Sequence, residues 1–244
     1  MGLLFYNNKI MSKSNTLDEN LISYWSFDTN ANDIHRKYNG SINGATLNSN
    51  GKINSCYYFD GVGDWIVLPS ELKPTGIFSI NCWAKVDTWT DTRKYRGIFG
   101  GLGQGTVATK GGVCLLHARN PNINQNSIFL DVYSSTNRYS CVSNIPSEGE
   151  WHMYTSMYDG QYIKLYIDNI LESEVNVGSI TIDWTGSALF RIGYNYQNIS
   201  SPNVWLGYID EFGLWDKALS DIEINYLYNS NLALKYNNYR YGNI

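Results

Sequence analysis

The sequence contains little charge and no cluster of one sign. Charged residues make up 16% of its 244 residues, and 18 Lys and Arg against 22 Asp and Glu give a formal net charge of −4. Nucleic-acid-binding domains usually carry a basic stripe, and attraction to an anionic membrane needs a similar concentration of positive charge. Because the sequence has neither, we expect no nucleic-acid partner and no general affinity for anionic membranes.

Long apolar segments are also absent. No stretch approaches the roughly 20 apolar residues that a membrane-spanning helix needs, so no membrane insertion is expected. The run from Leu3 to Tyr6 is shorter than the signal-peptide core of about 7–15 residues, and nothing positive precedes it. We therefore expect the chain as given to carry no secretion signal, either because a signal was trimmed or because the protein is released without one.

The sequence lacks the motifs of common metal, redox and nucleotide sites. Its cysteines match no zinc or redox spacing, and we expect reduced, buried thiols rather than a disulfide framework. The histidines form no H-x-H or H-E-x-x-H pair, and no P-loop, Rossmann fingerprint or G-x-S-x-G elbow is present. The cysteines are Cys56, Cys82, Cys114 and Cys141, and the histidines are His35, His117 and His152, the last predicted to be structural.

The sequence is rich in short aromatic segments that favour strands. Twenty Tyr, eight Trp and eight Phe give an aromatic share of 15%, and aromatic residues fit pleated, half-buried surfaces. Such segments recur between Gly, Asn, Asp and Ser, a pattern typical of a β-sandwich or barrel. We predict an all-β domain over residues 21–230, a polar N-terminal arm at 1–20 and an Asn- and Tyr-rich tail at 231–244.

One short helix is predicted near the C-terminal end of the domain. Ser220 and Glu223 have the S-x-x-E spacing of a capping box. The predicted helix runs for about two turns, to Asn229, and buries Ile222 and Tyr226.

A series of motifs also occurs in a characteristic order. These are Y-W-x-F-D at 24–28, F-D-G-x-x-D-W at 59–65, F-S-I-x-x-W at 78–83, W-H at 151–152, Y-D-G at 158–160, L-Y-I-D at 165–168, R-I-G at 191–193 and G-x-I-D-E-F-x-L-W-x-x-A-L-S at 207–220. Each motif is weak alone, but the ordered set resembles the laminin-G-like jelly-roll domains, relatives of concanavalin A-like lectins. The resemblance implies a two-sheet antiparallel β-sandwich, or jelly roll, with one short C-terminal helix.

The resemblance further implies a structural calcium ion. Asp28 ends the first strand, Asp210 lies in the last, and in this family these two strands run close together. Ca²⁺ takes several oxygen ligands, and the loop from Asp33 to Ser41 could add carbonyls, which makes Asp33, Asn39 and Ser41 weaker candidates. The alternative is that Asp28 caps a turn and Asp210 accepts backbone N–H bonds.

We predict two roles for the aromatic residues, core packing and ligand binding. Four tryptophans with apolar neighbours are predicted to pack in the core, namely Trp25, Trp83, Trp151 and Trp215. Five other rings lie in or beside polar, Gly- or Asn-containing segments and form a candidate ligand-binding rim, namely Trp89, Tyr95, Tyr194, Tyr196 and Trp205. Rings exposed at a rim could stack on sugars or anchor a protein, and ordinary loop packing is the alternative for each.

Catalysis is not expected. Glycosidases that share this fold carry E-x-D-x-x-E on one strand, which places acidic residues on one face. The nearest stretch here is IDEFGLWD, in which Asp210 and Glu211 are predicted to point to opposite faces and Asp216 to lie past the strand end. We therefore predict a protein that is not an enzyme.

These observations lead to a hypothesis of a non-catalytic surface recognition or adhesion module. Its expected partner is a glycan or another surface or virion protein, and a homo-oligomer is left open. A virion accessory protein, such as a phage capsid or tail decoration, is the first reading, with a virion or extracellular location. A carbohydrate-binding domain of a secreted bacterial protein is the alternative, and a glycan-cleaving enzyme is the third.

Overall fold

A computed structural model of the chain describes residues 17–89, 95–101, 111–120, 125–185, 189–195 and 203–229. The strands are β1 (Leu21–Trp25), β2 (Ser41–Asn43), β3 (Thr46–Asn48), β4 (Cys56–Asp60), β5 (Trp65–Leu68), β6 (Phe78–Val86), β7 (Tyr95–Gly100), β8 (Val113–Asn120), β9 (Gln125–Tyr133), β10 (Arg138–Asn144), β11 (His152–Tyr158), β12 (Tyr162–Ile167), β13 (Ile170–Asn176), β14 (Phe190–Ile192) and β15 (Leu206–Trp215). Within these ranges, α1 (Asp221–Tyr228) is the only α-helix.

The strands form two antiparallel sheets packed face to face. In the first sheet the order is β13-β12-β11-β6-β15-β4-β3, and β1 also pairs with β15; in the second it is β10-β9-β8-β7-β14-β5-β2. The predicted all-β sandwich with one short C-terminal helix is therefore confirmed. No helix formed by the described residues is long and apolar enough to cross a bilayer.

The main core lies between the sheets and follows from alternation along the strands. In β6, for example, Phe78, Ile80 and Cys82 point into it, because side chains two residues apart share a face. A second cluster covers the outer face of the first sheet, where Trp83 and Trp215 pack with residues of α1. The first sheet is thus apolar on both faces near α1.

The helix begins as predicted but buries a different face. Ser220 accepts the Glu223 backbone N–H, and the Glu223 carboxylate accepts the Ser220 N–H at 2.8 Å, so the capping box is confirmed. The predicted burial is wrong for Ile222, which is 54% exposed, whereas Tyr226 is partly buried against the cluster on the outer face of the first sheet. Ile224 and Leu227 are buried instead, since their spacing of three places both over the outer face of the first sheet.

The cysteines match their prediction. All four are free and buried, and burial raises the pKa of the Cys141 thiol to about 11. The division into an arm, a domain and a tail stays a prediction. The tail and residues 1–16 lie outside the described residues, whereas residues 17–20 form a turn in which Leu17 is buried.

Candidate functional site

The last strand changes partner at the position of the predicted metal site. Residues Leu206–Ile209 of β15 pair with β4, and Phe212–Trp215 pair with β1. Asp210 and Glu211 lie in the gap between these two partners, at a β-bulge against β6. An edge without a strand partner leaves room for a loop, and residues 51–54 pack against Asp210 there.

The loop over Asp210 depends on a glycine and an asparagine. Its ends are joined by a bond from the Gly51 N–H to the Asn54 carbonyl at 3.0 Å. A Cβ on Gly51 would lie 2.6 Å from the Ser55 carbonyl carbon and 3.0 Å from Asp210 Oδ2. Asn54 has a φ of 55°, a left-handed conformation that asparagine tolerates. The sequence G-K-I-N therefore allows this close approach.

The loop joins the two predicted metal ligands. Asp210 is fully buried; its Oδ2 accepts the Ile53 N–H at 3.0 Å, and its Oδ1 accepts the Glu211 N–H at 2.9 Å. Asp28 Oδ1 accepts the side-chain amide of Asn54 at 2.9 Å. Burial raises the pKa of Asp210 and the nearby Asp28 raises it further, while the two backbone bonds lower it. The structure thus places the carboxylates within electrostatic reach of each other.

The weaker metal candidates have other surroundings. The Asp33 carboxylate accepts backbone N–H bonds from Tyr24, Lys37 and Tyr38 at 3.1, 3.2 and 3.4 Å, which fasten its own loop. Ser41 opens β2 of the second sheet, and Asn39 is exposed. No group of three or more His, Cys, Asp or Glu side chains with metal-binding geometry occurs in the described part of the chain.

The donor set partly fits calcium. Two carboxylates are the hard oxygen ligands that Ca²⁺ prefers, but the ion takes six to eight oxygens. An ion held by Asp28 and Asp210 would therefore need backbone carbonyls or water as well. The Asp210 bonds also agree with the alternative considered from the sequence, in which this carboxylate accepts backbone N–H groups.

Glu211 occupies an unexpected position. Its φ of 49° marks the bulge, its side chain is 2% exposed, and its Oε2 accepts the Tyr24 hydroxyl. Tyr24 belongs to the cluster on the outer face of the first sheet, the side on which Asp210 meets Ile53. The prediction that Asp210 and Glu211 point to opposite faces is therefore wrong, because the bulge breaks the alternation. Asp216 lies past the strand end and is exposed, as expected.

Three of the five candidate rim rings are in the interior. Trp89, Tyr194 and Trp205 are at most 6% exposed, so the prediction of exposed rings is wrong for them. Trp89 and Trp205 meet edge to face at 5.9 Å. Tyr95, at the start of β7, is exposed, and Tyr196 lies outside the described residues.

The structure reveals a different aromatic surface. Tyr58 of β4 lies opposite Tyr208 of β15, which lies opposite Lys85 of β6. Trp151 directly precedes β11, whose first residue pairs with the neighbour of Lys85. These four half-buried side chains, Tyr58, Tyr208, Lys85 and Trp151, form a line across the outer face of the first sheet that we call the aromatic row. Trp151, predicted to be core, is thus only half-buried.

The members of the aromatic row are in contact. Ring centroids lie 4.9 Å apart for Tyr58 and Tyr208 and 6.2 Å apart for Tyr208 and Trp151, with interplanar angles of 54°. Lys85 Nζ is 4.5 Å from the Tyr208 centroid and 5.5 Å from that of Trp151. Alternation along each strand assigns these residues to the outer face, but no sequence pattern shows that they are neighbours.

His152 is held at both ring nitrogens. Its Nδ1 lies 2.6 Å from Asp168 Oδ2, its Nε2 lies 3.0 Å from the Ser147 hydroxyl, and Asp168 Oδ1 accepts the Met153 N–H at 2.9 Å. Asp168 lies in the tight turn between β12 and β13. These bonds tie that hairpin to β11, and the structural role of His152 stays a prediction.

Solved structures of similar fold are numerous but distant in sequence. Domain 4 of AbnA, a GH43 extracellular arabinanase from Geobacillus stearothermophilus in complex with arabinotriose, is 20% identical with a TM-score of 0.64, over 88% of this chain and 98% of that domain. The botulinum neurotoxin serotype D binding domain is 19% identical with a TM-score of 0.61, over 90% of this chain and 53% of that one. A structure of botulinum neurotoxin type C, whose cell entry depends on interaction with two ganglioside molecules, is 18% identical with a TM-score of 0.62, over 92% of this chain and 53% of that one.

At these identities the likeness shows the fold alone, and the chain spans about half the length of the toxin domains. No curated protein sequence matches the chain. A family model described as the concanavalin A-like lectin/glucanases superfamily matches residues 60–225. Since that match covers more than half of the chain, the protein belongs to the concanavalin A-like lectin/glucanases superfamily.

Proposed function

We propose that the protein is a non-catalytic recognition module that binds glycans through the aromatic row. The observation that carries the proposal is a line of half-buried rings across one sheet face, with a lysine between two of them. Tyr and Trp combine a large apolar face with a polar group, which suits a sugar ring that presents C–H groups on its face and hydroxyls at its edge. The arabinanase domain in complex with arabinotriose and the type C toxin that interacts with gangliosides support the choice of ligand class.

A glycan array and one matched pair of variants test this function. Tyr208→Ala removes the ring that touches the other three members of the aromatic row. Tyr162→Ala is the control, because Tyr162 is also a half-buried ring beside a lysine, with Lys164 Nζ 5.8 Å from its centroid, but lies in β12 outside the aromatic row. We expect array binding that Tyr208→Ala abolishes and Tyr162→Ala retains. Equal binding by both variants would reject the aromatic row as the site.

The proposal includes a structural calcium ion held by Asp28 and Asp210. The ion would relieve the repulsion between the carboxylates and tie the residue after β1 to the last strand. A ligand at a hundredfold excess over its Kd stabilises the folded state by about 2.7 kcal/mol, and for a domain of this size each kcal/mol shifts Tm by about 2–4 °C. We expect chelation to lower Tm by several degrees.

Variants at two aspartates separate this ion from weak surface binding. Asp28→Ala should lower Tm and abolish the response to chelator. Asp216→Ala changes an exposed carboxylate just past β15 and should leave the response intact. If chelation leaves the Tm of the wild-type protein unchanged, the calcium site is rejected. Hydrogen bonds from residues 51–54 would then explain the position of both carboxylates.

One observation favours a second candidate function, hydrolysis by an activated serine. The order of hydrogen bonds from Ser147 to His152 to Asp168 is that of a nucleophile, a base and an orienting carboxylate. In our proposal these bonds only hold the β12–β13 hairpin on β11. Labelling with a fluorophosphonate separates the two functions: we expect none, and labelling that Ser147→Ala abolishes would replace the non-catalytic assignment.

Within this function, the more specific role that we propose is a virion accessory protein, such as a phage capsid or tail decoration, with a virion or extracellular location. Its support is the Asn-, Ile- and Tyr-rich composition, which suits an AT-rich genome. Mass spectrometry of purified particles tests it, because a carbohydrate-binding domain of a secreted bacterial protein would be found in the culture supernatant instead.

A further inference from the structure

We infer that the aromatic row selects neutral, hydroxyl-rich sugar units, with which Lys85 in β6 and Asp87 just after β6 both form hydrogen bonds. This inference rests on the proposed glycan-binding function and names its ligand class. It follows from the two opposite charges that the sheet places beside the rings.

Lys85 carries a positive charge without an acidic partner. Its ammonium lies between the Tyr208 and Trp151 rings, and it forms no ion pair with any carboxylate of the described residues. Lys164 on the same sheet face is different, because its Nζ lies 3.1 Å from Asp159 and 3.2 Å from Glu174. The donors of the Lys85 ammonium that do not face the rings can therefore bind hydroxyl or carboxylate oxygens of a ligand.

Asp87 supplies the opposite charge beside the aromatic row. It follows β6 two residues after Lys85, so both side chains lie on the outer face, and its backbone N–H is fixed on the Leu206 carbonyl at 3.1 Å. Its carboxylate lies beside the Tyr58 hydroxyl: burial raises the pKa of Tyr58 to about 12, and Asp87 contributes. Burial and, after it, Asp87 also raise the pKa of Tyr208. The rings of the aromatic row therefore have one carboxylate and one ammonium beside them, both supplied from β6 and its end.

This pair of opposite charges matches a neutral sugar best. A hydroxyl both accepts and donates, so it can accept from Lys85 while a neighbouring hydroxyl donates to Asp87. A uronate would gain Lys85 but meet Asp87 and the exposed Glu150 beside Trp151, and like charges at close range are unfavourable. An amino sugar would meet the Lys85 ammonium. A neutral ligand leaves both protein charges hydrogen-bonded and adds no repulsion.

The test compares neutral and acidic chains of equal length. Calorimetric titrations use cellohexaose, mannohexaose and xylohexaose against hexagalacturonate and hexaguluronate, each at low and high salt. We expect the tightest binder to be neutral and its affinity to change little with salt, because screening acts on ionic contacts. Lys85→Met and Asp87→Asn should each weaken it roughly tenfold or more, since each removes a charge-assisted hydrogen bond. Lys164→Met, the matched cation–aromatic control, should bind like the wild type.

The outcomes separate this inference from the proposed function. Three results would overturn the neutral-sugar inference: a uronate that binds more tightly than the neutral chains, an affinity that falls steeply with salt, or full binding by folded Lys85→Met and Asp87→Asn. In each case Tyr208→Ala would still test whether the aromatic row is the binding site. If no glycan binds, or if Tyr208→Ala binds like the wild type, the proposed function itself fails. The Tm of each variant, measured alongside, shows that a loss of affinity is not a loss of folding.

Discussion

The bond between Tyr24 and Glu211 should be a measurable part of the stability of the domain. Tyr24, in β1, is 1% exposed and donates its hydroxyl to the buried carboxylate of Glu211 at the bulge of β15. Tyr24→Phe keeps the ring over Gly213 and Trp215 but removes the donor. A hydrogen bond to a charged group contributes about 1.5–3 kcal/mol, so we expect a loss of about 2 kcal/mol, or roughly 4–8 °C in Tm.

Urea unfolding followed by tryptophan fluorescence measures this loss. The midpoint should fall while the slope stays constant, because the surface exposed on unfolding is unchanged. Tyr95→Phe is the matched control: its hydroxyl is on a 44% exposed side chain, and changes at exposed positions are usually within about 0.5 kcal/mol. Combining Tyr24→Phe with Glu211→Gln completes a double-mutant cycle, which should show coupling. A Tyr24→Phe protein within about 0.5 kcal/mol of the wild type would refute the reasoning.

Three further outcomes are expected. Ser220→Ala should cost about 1 kcal/mol by removing the helix cap, and an unchanged urea midpoint would contradict this. Gly193→Ala should cost about 2 kcal/mol or more, because φ is +78° and the new Cβ would lie 2.3 Å from Phe59; Gly63→Ala, with nothing within 4 Å, is its control in the same thermal melts. Without calcium, in chelator, the pKa of Asp210 is higher in the folded state than in the unfolded state, so the folded state binds this proton more tightly. The stability contributed by Asp210 therefore falls as pH rises from its unfolded-state pKa to its folded-state pKa. Asp210→Asn should flatten that decline in a series of urea midpoints against pH, and a steeper decline would contradict the assignment.

The features that the sequence predicted correctly are those fixed by local chemistry. The capping box needs only Ser220 and Glu223 at the right spacing, and the strands follow from alternation within each segment. The buried face of α1 depends on where the helix lies on the sheet. A two-turn helix offers Ile222 and Tyr226 or Ile224 and Leu227 with similar periodicity, and only contact with the outer face of the first sheet decides between them.

The metal pair and the bulge also separate what the sequence predicts from what depends on distant strands. The motif order was sufficient to bring Asp28 and Asp210 together, because it identifies the first and last strands. It could not show that β15 exchanges β4 for β1 at Asp210, since that depends on the lengths and registers of three strands. The sequence therefore predicts that Glu211 faces away from Asp210, as in a regular strand. The structure instead has a bulge at Glu211, where β15 changes partner, and the bulge interrupts the alternation of side chains.

The aromatic residues were the hardest to assign because burial of a ring depends on segments far away in the sequence. Trp205 lies just after a polar segment of the sequence, S-S-P-N at 200–203, yet it is enclosed by Trp89 and the inter-sheet core. Tyr208 and Lys85 have apolar neighbours on both sides, a pattern that resembles a core strand, yet alternation turns both outward. Their meeting with Tyr58 requires three strands in one register, which no single segment encodes. A search for outward-facing rings on strands that pair would find this site, whereas a search for aromatic residues in polar loops selects rings that the fold then buries.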